Sequence, residues 1–434
     1  MTTPTVSIVI PTRNRRPALQ QTLMALAHQT IPPDELEVLV VVDGGTDGSA
    51  DMVRALRVPY TLRLLEQPAR GVSYARNWGA AEARAPLLIS FDDDVVAVPG
   101  FVAAHLRAQQ GPDERLVLGP YLLNLPGRPS LDQIYARTWW SDRFHAMSRS
   151  GHRFTFEDLA AGNFSIPSAL YARMGGFDTI FRGYGVKDYE FGVRALKAGA
   201  QFAYAADAVG DHRDSQCSIQ RVLRRIREEA RNDVIMGTLH PELRPALKVA
   251  SILSPSQSRR NRLLQRLALN WPILGDRLVM ALQSQVESYE RRLLHAYWWR
   301  LINGIKTYWY IRGVAEQLGG QEEIAAYVAA GERAARERHL KLGSLELSEG
   351  LAACACRLDQ ERPDSVELRY RGTPVGQIPA PPGAEPLRGA HLADALRQWQ
   401  MTKPLALGIA PMIHPPLATW VTAGEMPSSA KYNC

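Results

Sequence analysis

The chain has 434 residues, 46% of them hydrophobic and 22% charged, with a formal net charge of +7. This length excludes one small domain and sets an expectation of two or three. The composition excludes a disordered chain and suits one that buries a sizeable core. The four cysteines, Cys217, Cys354, Cys356 and Cys434, give neither a disulfide framework nor a paired Cys-x-x-Cys zinc site, so they read as idle thiols of a reducing compartment. The first residues, Met1-Thr2-Thr3-Pro4-Thr5-Val6, lack a basic stretch followed by an apolar core, and no apolar run is long enough to span a bilayer. A cytoplasmic protein is therefore expected. Its positive charge suits an anionic partner (a nucleotide, an acidic polymer or an anionic membrane surface), or is a basic surface with no particular partner.

The first half alternates short β-branched runs with helical patterns. Residues 6–11 read as a buried strand that stops at a proline, and residues 16–29 as a helix with Leu19, Leu23, Leu26 and Ala27 at helical spacing. A strand over 36–42, a short helix over 49–56, a strand over 61–66, a helix over 72–85 and a strand over 87–91 follow. Such alternation predicts an α/β fold, with parallel strands joined by crossovers and helices on both sheet faces. Ligands of such sheets sit at the carboxyl ends of the strands, so Asn14, Asp43 and Asp92 to Asp94 are expected to converge on one crevice.

Beyond residue 215 the pattern changes. Residues 218–231 form a strongly basic helical stretch, and helical segments continue to about Arg338, with breaks at Ser254-Pro255-Ser256 and Gly319-Gly320. From Gln216 to Arg312 basic residues outnumber acidic ones by ten. Tyr297, Trp298, Trp299, Tyr308, Trp309 and Tyr310 interleave with Arg292, Arg300, Lys306 and Arg312. They fit a membrane-interface helix, an acceptor-binding groove or a core packed on the first domain. Residues 365–372 alternate polar and apolar side chains and end in a turn, as a hairpin does. A proline-rich linker follows at Ile378–Gly383, and a loop-rich tail carries Pro415-Pro416. The expected division is 1–215, 216–340 (helical, basic) and 341–434 (small, β-containing and loop-rich).

The chemistry concentrates in a few segments. Asp92-Asp93-Asp94 follows the apolar run Pro86–Ser90. A carboxylate cluster at the end of a buried strand needs positive charge nearby, and a hard divalent cation is the simplest source; a solvated acidic turn is the plain alternative. In Asp43-Gly44-Gly45-Thr46-Asp47-Gly48-Ser49 the glycines allow close approach of a ligand, Asp43 can accept a nucleobase hydrogen, and Asp47 and Ser49 suit a helix cap. Arg70 and Arg76 lie about a helix start, as anion contacts or as surface charge.

Four segments in order, Ser7–Arg15, Asp43–Gly48, Arg70–Asn77 and Asp92–Asp94, resemble glycosyltransferase family 2. The resemblance covers roughly residues 5–215. It implies a GT-A fold: a nucleotide-sugar-binding, mostly parallel sheet flanked by helices, with a metal-binding Asp-x-Asp motif. It places Pro11, Thr12, Arg13, Asn14, Asp43, Arg70 or Arg76, Asp92 and Asp93 at the donor, and Asp94 as metal ligand, joined by His212 from Gly210-Asp211-His212-Arg213. The implied cation is Mn²⁺ or Mg²⁺. Asn163, in Ala161–Pro167, resembles the lining of the sugar pocket. Gly175–Asp178 resembles a turn of the family, and Lys187-Asp188-Tyr189-Glu190 its Glu-Asp motif beneath the acceptor, with Tyr189 and Glu190 on the acceptor side. Asp188 matches the general base, a simple helix cap being the alternative. This chain departs from the pattern at Val42, Gly45 and Lys187, which loosens the expectation for the base and the acceptor.

The resemblance thus implies an inverting, metal-dependent hexosyltransferase that moves a sugar from a nucleoside diphosphate sugar to an acceptor hydroxyl of a glycan or lipid-linked molecule. Such an enzyme would serve polysaccharide, glycolipid or glycoconjugate synthesis. UDP is the family default, with GDP and dTDP open. Peripheral contact with the inner membrane face is one possibility, and no nucleic-acid partner is expected. A catalytically inactive relative that binds a nucleotide sugar or glycan is the alternative. A nucleotidyltransferase would want a glycine-rich, lysine-containing loop where Pro11-Thr12-Arg13-Asn14-Arg15 stands.

Overall fold

In the computed structural model the described residues are 3–125, 127, 129–213, 219–292 and 294–402. The expected tail with Pro415-Pro416 lies outside them, as do Cys217 and Cys434. The chain divides into two compact units, one of Met1–Phe144 with Phe156–Glu337, the other of His145–Thr155 with the chain from Arg338 onward.

The first unit begins β1 (Val6–Thr12), α1 (Arg16–Leu26), β2 (Leu36–Asp43), α2 (Ser49–Ala55), β3 (Thr61–Gln67), α3 (Val72–Glu82) and β4 (Leu87–Phe91). The periodicities above anticipate each of these. There follow β5 (Val95–Ala97), α4 (Phe101–Ala108), β6 (Arg115–Leu118), β7 (Tyr121–Leu123) and α5 (Leu131–Met147). Next come β8 (Asn163–Pro167), α6 (Ser168–Arg173), α7 (Lys187–Lys197), β9 (Gln201–Tyr204) and β10 (Gly210–His212). Seven strands form a sheet of order β3-β2-β1-β4-β8-β6-β9. It is mostly parallel; only β8 runs against its neighbours β4 and β6. The runs of β1, β2 and β4 are buried throughout, which is why they read as unbroken apolar stretches. The chain winds outward from β1 through β2 to β3, then returns to the other side of β1 at β4. That reversal opens a crevice at the carboxyl ends of β1 and β4. A second sheet, β5-β10-β7, lies just past β4 in the chain and delivers His212.

The helical part of this unit holds α8 (Ile219–Leu239), α9 (Arg259–Asn270), α10 (Pro272–Arg291), α11 (His295–Leu318) and α12 (Gln321–Glu337). Helix α11 is its axis. Trp298, Ile302, Tyr308, Trp309, Tyr310 and Val314 are buried in one cluster with residues of α7, α8 and α10. Four of the six aromatics noted in the sequence therefore form core, and Tyr297 and Trp299 alone of that group stay exposed. Small residues set the crossings: a Cβ on Gly313 would sit 2.8 Å from that of Ala230, and one on Gly275 2.4 Å from the Tyr308 hydroxyl. No helix of the described residues is long and apolar enough to cross a membrane.

The second unit has β11 (Leu342–Glu346), α13 (Leu351–Glu361), β12 (Ser365–Tyr370), β13 (Thr373–Ile378) and α14 (Leu392–Thr402). The hairpin expected after Ser365 is β12–β13. It turns at Arg371 and Gly372, both with positive φ, as a tight two-residue hairpin requires. Glu346 accepts from both turn amides at 2.8 Å. The segment His145–Thr155 is bound into this unit: Arg153 donates to the carbonyls of Glu385, Pro379 and Asp364, and Phe154 N to the Glu385 carboxylate. Cys354 is a buried free thiol, as expected.

Asp233 of α8 is buried and accepts a hydrogen bond from the Tyr310 hydroxyl of α11. Burial pushes its carboxyl from 3.8 up to about 7, against the Tyr310 bond. The folded state therefore holds a proton that the unfolded state releases, so this group's contribution to stability falls as pH rises from about 4 to about 7 and is level above. The slope is at most ~1.4 kcal/mol per pH unit. Denaturant unfolding across that range should show Asp233→Asn losing stability with pH less steeply than the parent.

Candidate active site

Three loops at the carboxyl edge of the sheet interlock. Asn14, in the loop after β1, adopts the left-handed conformation and accepts from Thr46 N at 2.7 Å, joining the first loop to the second. Asp43, at the end of β2, accepts from Gln67 Nε2 at 2.8 Å, Arg70 N at 2.7 Å and Gly71 N at 2.9 Å, which fixes the third loop. Gly44 (φ +68°) has the Ala69 backbone so close that a Cβ would lie 2.7 Å from its nitrogen. Asp47 accepts from Ser49 N and Oγ and from Arg16 N, tying together the starts of α1 and α2 as a cap does. Pro11 is buried within β1. Arg13 is exposed with no ion pair among the described residues, and Arg70 is exposed with its guanidinium over the Tyr74 ring at 4.2 Å.

The three acids after β4 part company. Asp92 takes Arg76 Nη2 at 2.6 Å, and Arg76 is buried from α3. The two arginines left open by the sequence thus differ in kind: Arg76 is spent on Asp92, whereas Arg70 stands at the surface. Asp93 is buried and accepts from Thr12 Oγ1 at 2.7 Å. Burial and the charge of Asp94 push it up to about 7, against the pull of Arg15. Asp94, also buried, meets Arg15 on one oxygen and His212 Nε2 at 3.2 Å on the other. Burial alone would raise its carboxyl; the His212 and Arg15 contacts outweigh that and hold it at about 2. Among the described residues no group of three or more His, Cys, Asp or Glu is placed to hold a metal ion. Asp94 and His212 nonetheless form a converging carboxylate–imidazole pair.

Across the crevice, β8 and α7 bring the other half. Asp188, in the first turn of α7, accepts from Ala161 N at 3.2 Å through Oδ2. Its Oδ1 is buried and has no hydrogen-bond partner; Lys187 Nζ lies 3.9 Å away. The next residue along, Gly162, faces Asp92: a Cβ there would lie 2.6 Å from Asp92 Oδ2 and 3.2 Å from the Tyr121 ring. Two consecutive backbone residues therefore lie against Asp188 and Asp92.

The structure does not bring the other acceptor-side residues to this wall. Asn163 is fully buried; its amide nitrogen donates to the carbonyls of Pro120 and Ala208, and its oxygen meets His105. Glu190 pairs with Arg194 at 2.6 and 2.8 Å and with His240 at 3.4 Å, contacts that hold its carboxyl below the ordinary range despite burial. Tyr189 packs on Phe156 and the helical core, and burial raises its hydroxyl. Tyr189 and Glu190 follow Asp188 in α7, which turns them inward, and Asn163 is buried at the start of β8.

Sequence reasoning passed over Arg15 and an aromatic row. From His212 the rings run to Tyr121 (5.6 Å), Trp140 (5.5 Å) and Trp139 (4.8 Å), the last half-exposed on α5 with Arg143 over its face. The signal was present as Tyr135/Trp139 and Trp140/Phe144, two aromatic pairs four residues apart on one helix.

Residues 7–164 match the family described as Glycosyl transferase family 2, and residues 142–217 the N-terminal domain of galactosyltransferase. The validoxylamine A glucosyltransferases of Streptomyces hygroscopicus subsp. limoneus and subsp. jinggangensis are 35% and 34% identical over 233 residues. Each alignment takes in 48% of this chain, and 51% and 55% of those proteins, so the chain spans about half the length of these curated relatives. The mannosyltransferase PcManGT from Pyrobaculum calidifontis, solved with GDP-Man and Mn²⁺, aligns over 78% of this chain and 88% of its own, at 17% identity and a TM-score of 0.42. The N-terminal region of the chain is homologous to glycosyl transferase family 2 and has a GT-A-like fold; the chain beyond residue 217 lies outside both family matches.

The Gly162 contact is testable by a double-mutant cycle. Gly162→Ala should cost about 1–3 kcal/mol in chemical denaturation by driving Asp92 off Arg76. In an Asp92→Ala background the same change should cost less than about half as much. Equal costs in both backgrounds would show that Asp92 is not what fills that space.

Proposed function

We propose that the N-terminal unit transfers a hexosyl group from a nucleoside diphosphate sugar, with UDP as first candidate, to an acceptor hydroxyl, inverting the anomeric centre. One observation supports this reading: Asp188 is held through one oxygen by Ala161 N, while its other oxygen is buried with no hydrogen-bond partner and only Lys187 Nζ 3.9 Å away. A buried carboxylate oxygen left without a donor is costly unless a ligand supplies one. An acceptor hydroxyl does so. Its proton passes to Asp188 Oδ1 as its oxygen bonds the anomeric carbon and the bond to the diphosphate breaks. A single displacement of this kind needs no carboxylate nucleophile.

The donor's place follows from the interlocked loops. Asp43 and Asn14 fix the three loop backbones, Arg76 positions Asp92, and the exposed Arg13 and Arg70 offer cations to the nucleotide. Asp94 and His212 would hold Mn²⁺ or Mg²⁺. Their pairing fits a cation of this type, which is bound by one or two protein ligands and completed by substrate phosphates rather than by a closed cage. Such an ion would neutralise charge on the leaving diphosphate. Arg15 also sets positive charge beside Asp94. Trp139, half-exposed at the end of the aromatic row, would give the acceptor an apolar face on which a sugar ring can stack.

Asp188→Asn keeps the shape and removes the base. It should lower kcat at least about 100-fold while UDP affinity, by calorimetry with Mn²⁺, stays within about threefold. Transfer at the parent rate would remove Asp188 as the base; loss of nucleotide binding in parallel would point to a structural part for it. For the acceptor side, Trp139→Ala should raise the acceptor KM about three- to tenfold, with the donor KM unmoved, in initial-rate kinetics.

A further inference from the structure

The outer faces of α9 and α10 carry an apolar surface that the core does not use. On α10, Gly275 and Val279 are packed inward, and Leu274 (54% exposed), Leu278 and Leu282 stand exposed beside them, with Ile273 (73%) further round the helix. Leu274, Leu278 and Leu282 repeat every four residues and form one stripe. Trp271 (56% exposed) stands at the junction of the two helices, and Leu263 (57%) continues the surface on α9. Scattered single apolar residues on a surface are ordinary, but a contiguous stripe of this size marks an interaction site.

The charge around it has one sign. Arg259, Arg262, Arg266 and Arg277 are exposed and make no ion pair among the described residues. Between Arg259 and Gln285 the sequence has a single acid, Asp276. That acid is turned inward, where it accepts from the Tyr308 hydroxyl at 2.6 Å and from Arg312 Nε at 3.1 Å. From Arg259 to Gln285 the two helices therefore expose apolar side chains and arginines together, and their one acid is turned away from both. A second copy docked through the same face would set arginines against arginines. An anionic bilayer answers both features: headgroups pair with the arginines, and Trp271 and the leucines enter the headgroup boundary.

We infer that α9 and α10 lay this face on an anionic lipid surface, with the chain resting on the bilayer rather than spanning it. The inference is independent of the catalytic reading, because none of these residues lies in the crevice. Flotation of the full chain would test it, with vesicles of phosphatidylcholine alone and vesicles containing about one-third phosphatidylglycerol. The protein should float with the anionic vesicles and stay below with the neutral ones. Leu274→Glu/Leu278→Glu should weaken binding at least about tenfold, and each of Arg262→Glu and Arg266→Glu about fivefold or more. Unchanged circular dichroism and Tm would show these surface variants to be folded, so that loss of binding reports the face itself. Equal binding to both vesicle types, parent-like flotation of the folded variants, or no flotation alongside a dimer that Leu274→Glu/Leu278→Glu disperses would each overturn the inference.

Discussion

Three adjacent carboxylates can stand at the end of a buried strand when each is met by a different partner. Removing an ionised group from water costs several kcal/mol, and neighbouring like charges add to that. After β4 the cost is met three ways: Asp92 takes a buried arginine, Asp93 takes a threonine hydroxyl and lies near a proton's gain, and Asp94 takes an arginine and a histidine. These partners come from β1, the loop after it, α3 and β10. The cluster thereby gathers distant parts of the chain around the mouth of the sheet, and the placing of the loops follows from it.

The same economy explains the opposite wall. Backbone amides and glycines do the work there, since Ala161 N and the bare Cα of Gly162 leave room for carboxylates that a bulkier residue would displace. The wall is rigid because β8 lies between β4 and β6, with Asn163 clamped to carbonyls on two sides. Residues that look like ligand contacts by their place in a motif can thus serve as fasteners. Asn163 and Glu190 are both of this kind, and what they fasten is the support beneath Asp188.

The sequence made the sheet legible because its central strands are buried on both faces and so appear as uninterrupted apolar runs, and because their ends are marked by Pro11, Asp43 and Asp92. The acids at the strand ends were legible for the same reason. What escaped was set by packing between segments far apart in the chain. That Arg76 meets Asp92 depends on α3 turning it toward the end of β4, while Arg70 precedes that helix, and the aromatic row depends on α5 lying beside β7. The arene-rich α11 was ambiguous because its apolar residues run all round the helix, a pattern that periodicity cannot orient.

The second unit is sewn to the first at three places in the chain, after Phe144, before Phe156 and after Glu337. A module added at one end of a protein can be shed or traded by a single cut. This one cannot, because the strand of chain from His145 to Thr155 would remain behind with Arg153 and Phe154 stripped of Glu385. The C-terminal sheet and the loop that leads out of α5 therefore have to be inherited, and altered, together.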